Sequence, residues 1–254
     1  MGREVDLLVM KPFLAILLLL APLFAADTRT PVLVELFTSE GCSSCPPADA
    51  LLGKLNDLQP VAGVNVIALE EHVDYWDRQG WRDPFSSADF TTRQKQYAQW
   101  LHVEAPYTPQ MVIDGRAELV GNDAQGVPKE LKKAARDVKT PVQISMREKS
   151  GDQVKLAVQV DGTKSSGDVQ LAITESKLAT DVARGENAGR NLKHSAVVRQ
   201  LMPIGKVKKG EPFSIETTVK LAREWKTENL SAVVFVQERT CGKVFGVAEL
   251  PFSR

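Results

Sequence analysis

Cys42 and Cys45 are the residues whose type and spacing most directly imply chemistry, separated by two residues in the run Phe37-Thr38-Ser39-Glu40-Gly41-Cys42-Ser43-Ser44-Cys45-Pro46-Pro47. Such a pair can exchange a disulfide with a partner, hold a static disulfide, or supply part of a metal site. A structural zinc needs four ligands, and the chain offers no second CxxC, only Cys241 and the histidines His72, His102 and His194. A static bridge across two residues closes a small loop and so constrains the unfolded chain little. Redox exchange is therefore the preferred reading. At a helix start the first thiol lies near unpaired backbone N–H groups and the positive end of the helix dipole, which makes Cys42 the nucleophile and Cys45 the resolving thiol.

Several other residues could assist. Glu35 precedes the cysteine turn inside an apolar run, where a buried carboxylate could take the proton of Cys45; alternatively it pairs with a buried Arg or Lys. The segment from His72 to Phe85 gathers His72, Asp74, Trp76, Asp77, Trp81 and Asp83 after a second apolar run. It could wall the dithiol cleft, since sites gather at strand carboxyl ends in α/β sheets. Within it His72 and Asp74 could relay a proton, whereas Trp76, Trp81 and Phe85 could simply pack an inserted loop. A later polar cluster, Arg184-Gly185-Glu186-Asn187 with Arg190, His194 and Arg199, either faces the cleft or forms a solvated hairpin loop.

The elements that would position these groups follow from periodicity. Val32-Leu33-Val34-Glu35-Leu36-Phe37 is a buried strand that delivers the chain to Cys42. Leu51, Leu52, Leu55 and Leu58 then mark one face of a helix whose first turn accepts Pro46 and Pro47. Val64 to Leu69 is a second strand, parallel to the first because a helix intervenes. A helix over about 87–101, two short strands around Asp114-Gly115 and a helix over 127–138 complete a unit assigned to residues 31–138. After Lys139-Thr140-Pro141 the pattern alternates (Val142, Ile144, Met146; Val154, Leu156, Val158, Val160), and residues 142–254 read as a mostly antiparallel, β-sandwich-like domain.

The N-terminus adds a compartment. Lys11 is followed by the Leu/Ala-rich run from Pro12 to Ala26, short for a membrane span and ending in small residues, so residues 1–25 read as a signal peptide with Met10 as a plausible true start. Export to the periplasm or medium permits disulfides and leaves Cys241 without an obvious mate. Lys and Arg total 32, equal to Asp and Glu, which argues against nucleic acid or an anionic membrane as partner. No stable membrane insertion is expected once the signal is removed.

The strand, the Gly41-Cys42-x-x-Cys45 turn, the helix and Thr108-Pro109 before a later strand together resemble the thioredoxin superfamily. That resemblance implies a cis peptide at Pro109 facing the dithiol, where it shapes the partner groove, and likens Glu35 to the superfamily's buried acid, offset by one residue. A resemblance over nearly all of the mature chain is to a bacterial family of secreted thioredoxin-like proteins of undefined function. It rests on Glu35 to Asp49, His72-Val73-Asp74-Tyr75-Trp76-Asp77, Gly80-Trp81-Arg82-Asp83-Pro84-Phe85, Tyr107-Thr108-Pro109-Gln110-Met111-Val112 and Arg184 to Arg190. It implies an α/β thioredoxin-like domain followed by a β domain and supplies no substrate. Glu70-Glu71 stand where such a strand end would be apolar.

These features lead to an exported thiol-disulfide oxidoreductase in which Cys42 attacks, Cys45 resolves, Glu35 assists proton transfer and Pro109 shapes the groove. Its partners would be protein thiols or disulfides, and no cofactor is required. One alternative is a copper(I) chaperone using Cys42, Cys45 and His72. Another is a non-catalytic binding protein with a static disulfide.

Overall fold

The computed structural model describes residues 1–2 and 29–253, so the expected signal segment falls almost wholly outside the described residues. The first half runs β1 (Thr30–Thr38), α1 (Pro46–Leu58), β2 (Val64–His72), α2 (Ala88–Trp100), β3 (Gln110–Ile113), β4 (Ala117–Val120) and α3 (Gly126–Ala134). The second half is strands: β5 (Val142–Ser150), β6 (Gln153–Val160), β7 (Gly167–Glu175), β8 (Leu178–Asp181), β9 (Asn191–His194), β10 (Val197–Val207), β11 (Phe213–Lys220), β12 (Leu230–Gln237) and β13 (Val244–Pro251). Among the described residues no helix is long and apolar enough to cross a membrane.

The expectation of an α/β thioredoxin-like domain followed by a β-sandwich-like domain is corrected here. Strands from both halves share one mixed sheet of eight, ordered β13-β12-β7-β10-β2-β1-β3-β4, so the architecture is mostly β. β1 and β2 pair in parallel from Thr30↔Val64 to Thr38↔His72, and β3 pairs antiparallel on the other side of β1. The join is the edge of β2, where Val197 of β10 bridges to Glu70. Local periodicity shows that β2 is a strand but not what lies on its free edge, and a distant strand occupies it.

Both faces of this sheet are covered, as its nearly unbroken apolar strands require. On one face Val32, Val34 and Leu36 of β1 pack with Leu52 and Leu55 of α1 and Leu131 of α3. On the other, Leu33 joins Phe90 of α2, Ala172 of β7 and Phe235 of β12 in a core that spans the two halves, while Phe37 packs with Tyr97. A separate three-stranded sheet, β11-β6-β5, closes the far end over Leu156, Leu171, Ile173 and Val234. The short β8–β9 hairpin stands apart from both sheets and lies against α1.

Candidate active site

β1 ends at Thr38, and Ser39-Glu40-Gly41 turn the chain into α1. The Cys42 N–H donates to Ser39 O at 3.1 Å and the Cys45 N–H to Cys42 O at 3.2 Å, a tight turn that brings the two Cα atoms to 5.4 Å and joins the sulfurs in a disulfide. Both cysteines are fully buried. Gly41 allows a close approach, since a Cβ there would lie 3.0 Å from Cβ of Trp76. The Trp76 indole N–H then donates to Thr108 Oγ1 at 2.9 Å, and the Thr108–Pro109 bond is cis. A Cβ added at Gly121 would touch Leu36, Ala48 and Pro109 together, which places Pro109 beside the first turn of α1. Of the residues singled out in the sequence, Cys42, Cys45, Trp76 and Pro109 are thus brought together.

The expectation that unpaired N–H groups of α1 face Cys42 is corrected. Pro46 and Pro47 have no N–H, and those of Ala48 and Asp49 are spent on Cys45 O at 2.8 and 3.1 Å. What remains near the first sulfur is the helix dipole and the Ser44 hydroxyl, 3.3 Å from Cys42 Sγ. The β8–β9 loop is bonded to the turn through Glu186 and the buried Asn187, while Arg184, Glu186 and Arg190 stay exposed to solvent. The Ser43 N–H donates to Glu186 Oε2 at 3.0 Å, and Asn187 Nδ2 donates to Glu40 O at 2.8 Å and Cys42 O at 3.0 Å. Arg190 donates to Asn187 Oδ1 and fixes the buried amide in that orientation. The loop is thereby fastened to the turn that carries the disulfide.

Glu35 is not brought to the dithiol. Alternation along β1 puts it on the face opposite Val34, Leu36 and α1, toward α2. There Arg93 Nε donates to Glu35 Oε1 at 2.6 Å, and Tyr97 donates its hydroxyl to Glu35 Oε2. Arg93 also reaches Gln237 Oε1 at 3.0 Å and lies 3.4 Å from Glu71 Oε1. Burial, then the Glu35 charge, holds the Glu71 carboxyl well above its usual range, so one carboxylate and one guanidinium balance in this pocket. The paired-cation reading of Glu35 is the one observed, and the one-residue offset is the physical reason, because it moves the side chain to the other face.

The acid on the dithiol side is Asp49. It sits four residues after Cys45 on α1, its own N–H bonded to Cys45 O, so the two side chains share a helix face. It is buried, accepts the Thr38 hydroxyl at 2.6 Å, and burial together with the nearby Glu70 charge pushes its pKa up to about 7. The sequence contains the signal, an acidic residue one helical turn beyond the second cysteine, but not its burial.

Behind the turn lies a second constellation. Glu70 and His72 end β2, and His194 ends β9. His194 Nδ1 is 2.7 Å from Glu70 Oε1 and its Nε2 is 3.2 Å from Glu40 Oε1. His72 Nδ1 is 2.7 Å from Asp83 Oδ2, while His72 Nε2 points at Glu70 Oε1 at 3.3 Å without a hydrogen bond. Burial opposes the imidazolium forms, but Asp83 and Glu70 override it for His72, raising it well above its ordinary value, and Glu70 raises His194 to about 9. Burial alone would raise Glu70; the two histidines, His194 foremost, lower it to about 2. His72 therefore lies in an ion-paired cluster behind the turn. Asp74 sits elsewhere, its carboxylate accepting the Thr91 hydroxyl at 2.5 Å on α2. Trp81 donates to Glu40 Oε2 at 2.7 Å, and the Phe85 ring lies 5.3 Å from that of His72, so both pack this cluster. The sequence alone did not single out Glu40 or Asp49; Glu70 stood out only as atypical, and Asn187 and His194 only within the polar cluster.

Between α1 and the β8–β9 hairpin runs a cavity of about 770 Å³, within the range of small-molecule sites. Pro46, Asp49 and Gly53 line one side and Leu178, Leu192 and His194 the other. Pro46, which follows Cys45 in the chain, is the cavity's lining residue nearest in sequence to the disulfide.

A family described as a protein of unknown function, DUF1223, matches residues 33–237, which include the cysteine turn, α1, the histidine cluster and the β8–β9 loop. The chain belongs to that family. Among solved structures it is similar to protein AGR_C_4864 from Agrobacterium tumefaciens, 28% identical over 89% of this chain and 96% of that one, with a TM-score of 0.69. This likeness spans both halves of the chain. A domain of the outer membrane lipoprotein Omp28 from Porphyromonas gingivalis is 14% identical over 44% of this chain and 87% of that one, with a TM-score of 0.30, too low to bear on the fold. Among curated proteins nothing matches.

Proposed function

We propose that this DUF1223 chain is an exported thiol-disulfide oxidoreductase. The observation that carries the reading is a disulfide in the turn that starts a helix, with the buried acid Asp49 one turn beyond its second sulfur. The local likeness of the Gly-Cys-Ser-Ser-Cys turn to thioredoxin-superfamily dithiols supports it as well. In the reduced protein the Cys42 thiolate attacks a sulfur of a partner disulfide; that S–S bond breaks, a mixed disulfide forms, and one partner thiolate leaves. Cys45 passes its proton to the Asp49 carboxylate and attacks Cys42 Sγ. The second partner thiolate departs, leaving the partner reduced by two electrons and the Cys42–Cys45 bond restored. The reverse sequence oxidises a partner dithiol.

Two features suit this cycle. An acid with a pKa near 7 can take up and return a proton at neutral pH. The β8–β9 loop, bonded to the turn through Glu186 and Asn187, must yield before a partner sulfur reaches Cys42, which restricts exchange to partners that displace it. Titrating the Cys42/Cys45 couple against glutathione tests the reading. A reversible two-electron couple between the extremes of known dithiol proteins supports it, whereas a disulfide that glutathione cannot open even in excess assigns the bond to structure and removes the proposal.

A further inference from the structure

The buried cluster behind the cysteine turn is more than an ion-pair network. We propose that Glu70, His72 and His194 form a binding site for one divalent transition-metal cation, with zinc as the reference ion. Their ligand atoms lie within 4.8 Å of one another, and all three side chains are buried. His72 Nε2 is fully buried, has no hydrogen-bond partner and is aimed into the space shared with Glu70. An orphaned imidazole nitrogen in that position is left free for a ligand other than a protein group.

Distances favour the assignment. Bonds of about 2.0 to 2.2 Å to nitrogen and oxygen in a tetrahedral shell place the donor atoms ~3.4 Å apart. The observed separation is 3.3 Å for His72 Nε2 to Glu70 Oε1 and 2.7 Å for His194 Nδ1 to Glu70 Oε1, so His194 needs to swing back by well under an ångström. The surrounding groups have the form of a metal site's outer shell, in which carboxylates hold the non-ligating nitrogens of histidine ligands. Asp83 Oδ2 holds His72 Nδ1 and is itself fixed by the Glu40 N–H at 2.8 Å. Glu40 Oε1 holds His194 Nε2, and the Ser195 N–H orients the second oxygen of Glu70 at 2.8 Å. The side chains of Glu40, Glu70 and Asp83 surround the two imidazoles, an acidic setting that suits a dication.

Access and selectivity also follow. His194 lines the cavity between α1 and the β8–β9 hairpin, so an ion can enter there and keep its fourth position for water or a small ligand in the cavity. Two imidazoles and one carboxylate with an open position suit zinc and its first-row neighbours, and contain no thiolate to select copper(I). The site is therefore distinct from the Cys42–Cys45 pair and stands whether or not that pair is redox active.

The test uses the full chain with the disulfide closed and Cys241 alkylated, so that no thiol is available. Equilibrium dialysis with zinc should show one ion per chain, unchanged in His102→Gln, which alters an exposed histidine elsewhere. Binding should be lost in His72→Gln and Glu70→Gln and weakened about 10- to 100-fold in Asp83→Asn. Cobalt(II) should give visible ligand-field bands without the near-ultraviolet thiolate charge-transfer band. This spectrum of the unmutated chain decides the matter even if a variant does not fold. No zinc bound to the unmutated chain, binding undiminished in a folded His72→Gln, or cobalt bands that persist in that variant would each overturn the site.

Discussion

Replacing Asp49 by Asn separates burial from chemistry at the dithiol. Burial and the Glu70 charge raise this carboxyl from 3.8 to about 7, against the opposing pull of His194 and the Thr38 hydroxyl. Below pH 3.8 the group is protonated both folded and unfolded, so it adds no pH dependence. Between 3.8 and about 7 the folded chain holds a proton that the unfolded chain has lost, and stability falls as pH rises. Above that range the full penalty is present. At about 1.4 kcal/mol for each pH unit crossed, it amounts to roughly 4 kcal/mol at pH 8. Asn is nearly the same size, carries no charge and keeps an oxygen for Thr38, so it removes the penalty. Urea unfolding should show Asp49→Asn gaining a few kcal/mol over the unmutated chain on going from pH 4 to pH 8. In the same variant Cys45 loses its proton acceptor, and release of glutathione from the Cys42 mixed disulfide at pH 7 should slow by roughly 10²- to 10⁴-fold. A stability difference that does not change with pH would refute the buried-acid account. The expected stabilisation with an unchanged release rate would instead remove Asp49 from the chemistry.

Other expectations are simpler to state. Glu35→Gln should leave exchange rates unchanged and lower stability by only about 1 to 3 kcal/mol, because Glu71, 3.4 Å from Arg93, can ionise in its place; adding Glu71→Gln should raise the loss to about 3 to 5 kcal/mol in urea melts. Slowed exchange in Glu35→Gln would contradict its placement on the far face. Asn187→Ala removes two hydrogen bonds to buried carbonyls, should cost about 1 to 3 kcal/mol, and should speed reduction of the disulfide by dithiothreitol; slower reduction would show that the loop does not guard the turn. The denatured, air-oxidised chain should take up one alkyl group by mass spectrometry, on Cys241, the exposed free cysteine. With Cys45→Ser, a glutathione adduct should form on Cys42; an adduct confined to Cys241 would remove Cys42 as the attacking thiol.

How much the sequence discloses depends on whether the signal is local. The strand, tight turn and proline-started helix around Cys42 and Cys45 are legible because each follows from residue types within a dozen positions. Alternation likewise marks the strands of the second half. It fails at β1 because that strand is buried on both faces, so no inside-outside contrast tells Glu35 from Val34 or Leu36. Only the packing of α1 on one face and α2 on the other decides that Glu35 meets Arg93 while Asp49 shares a helix face with Cys45. The join between the halves is equally invisible, since a strand's period does not name its neighbour, and the edge of β2 is filled by β10.

The rest of the site depends on contacts across long stretches of chain. Asn187 bonds to a carbonyl 145 residues earlier in the sequence, and His194 meets Glu70 across 124 residues. Read alone, each belongs to a polar loop or hairpin, where solvation is the ordinary expectation. Burial reverses that expectation, because a charged or amide group removed from water must find a partner, and the partners exist only once the β8–β9 hairpin has folded onto α1 and β2. The sequence by itself determined the dithiol and the strand-turn-helix that presents it. Tertiary structure alone decided which acid shares its helix face, which loop is fastened to its turn, and that two histidines and a glutamate meet behind it.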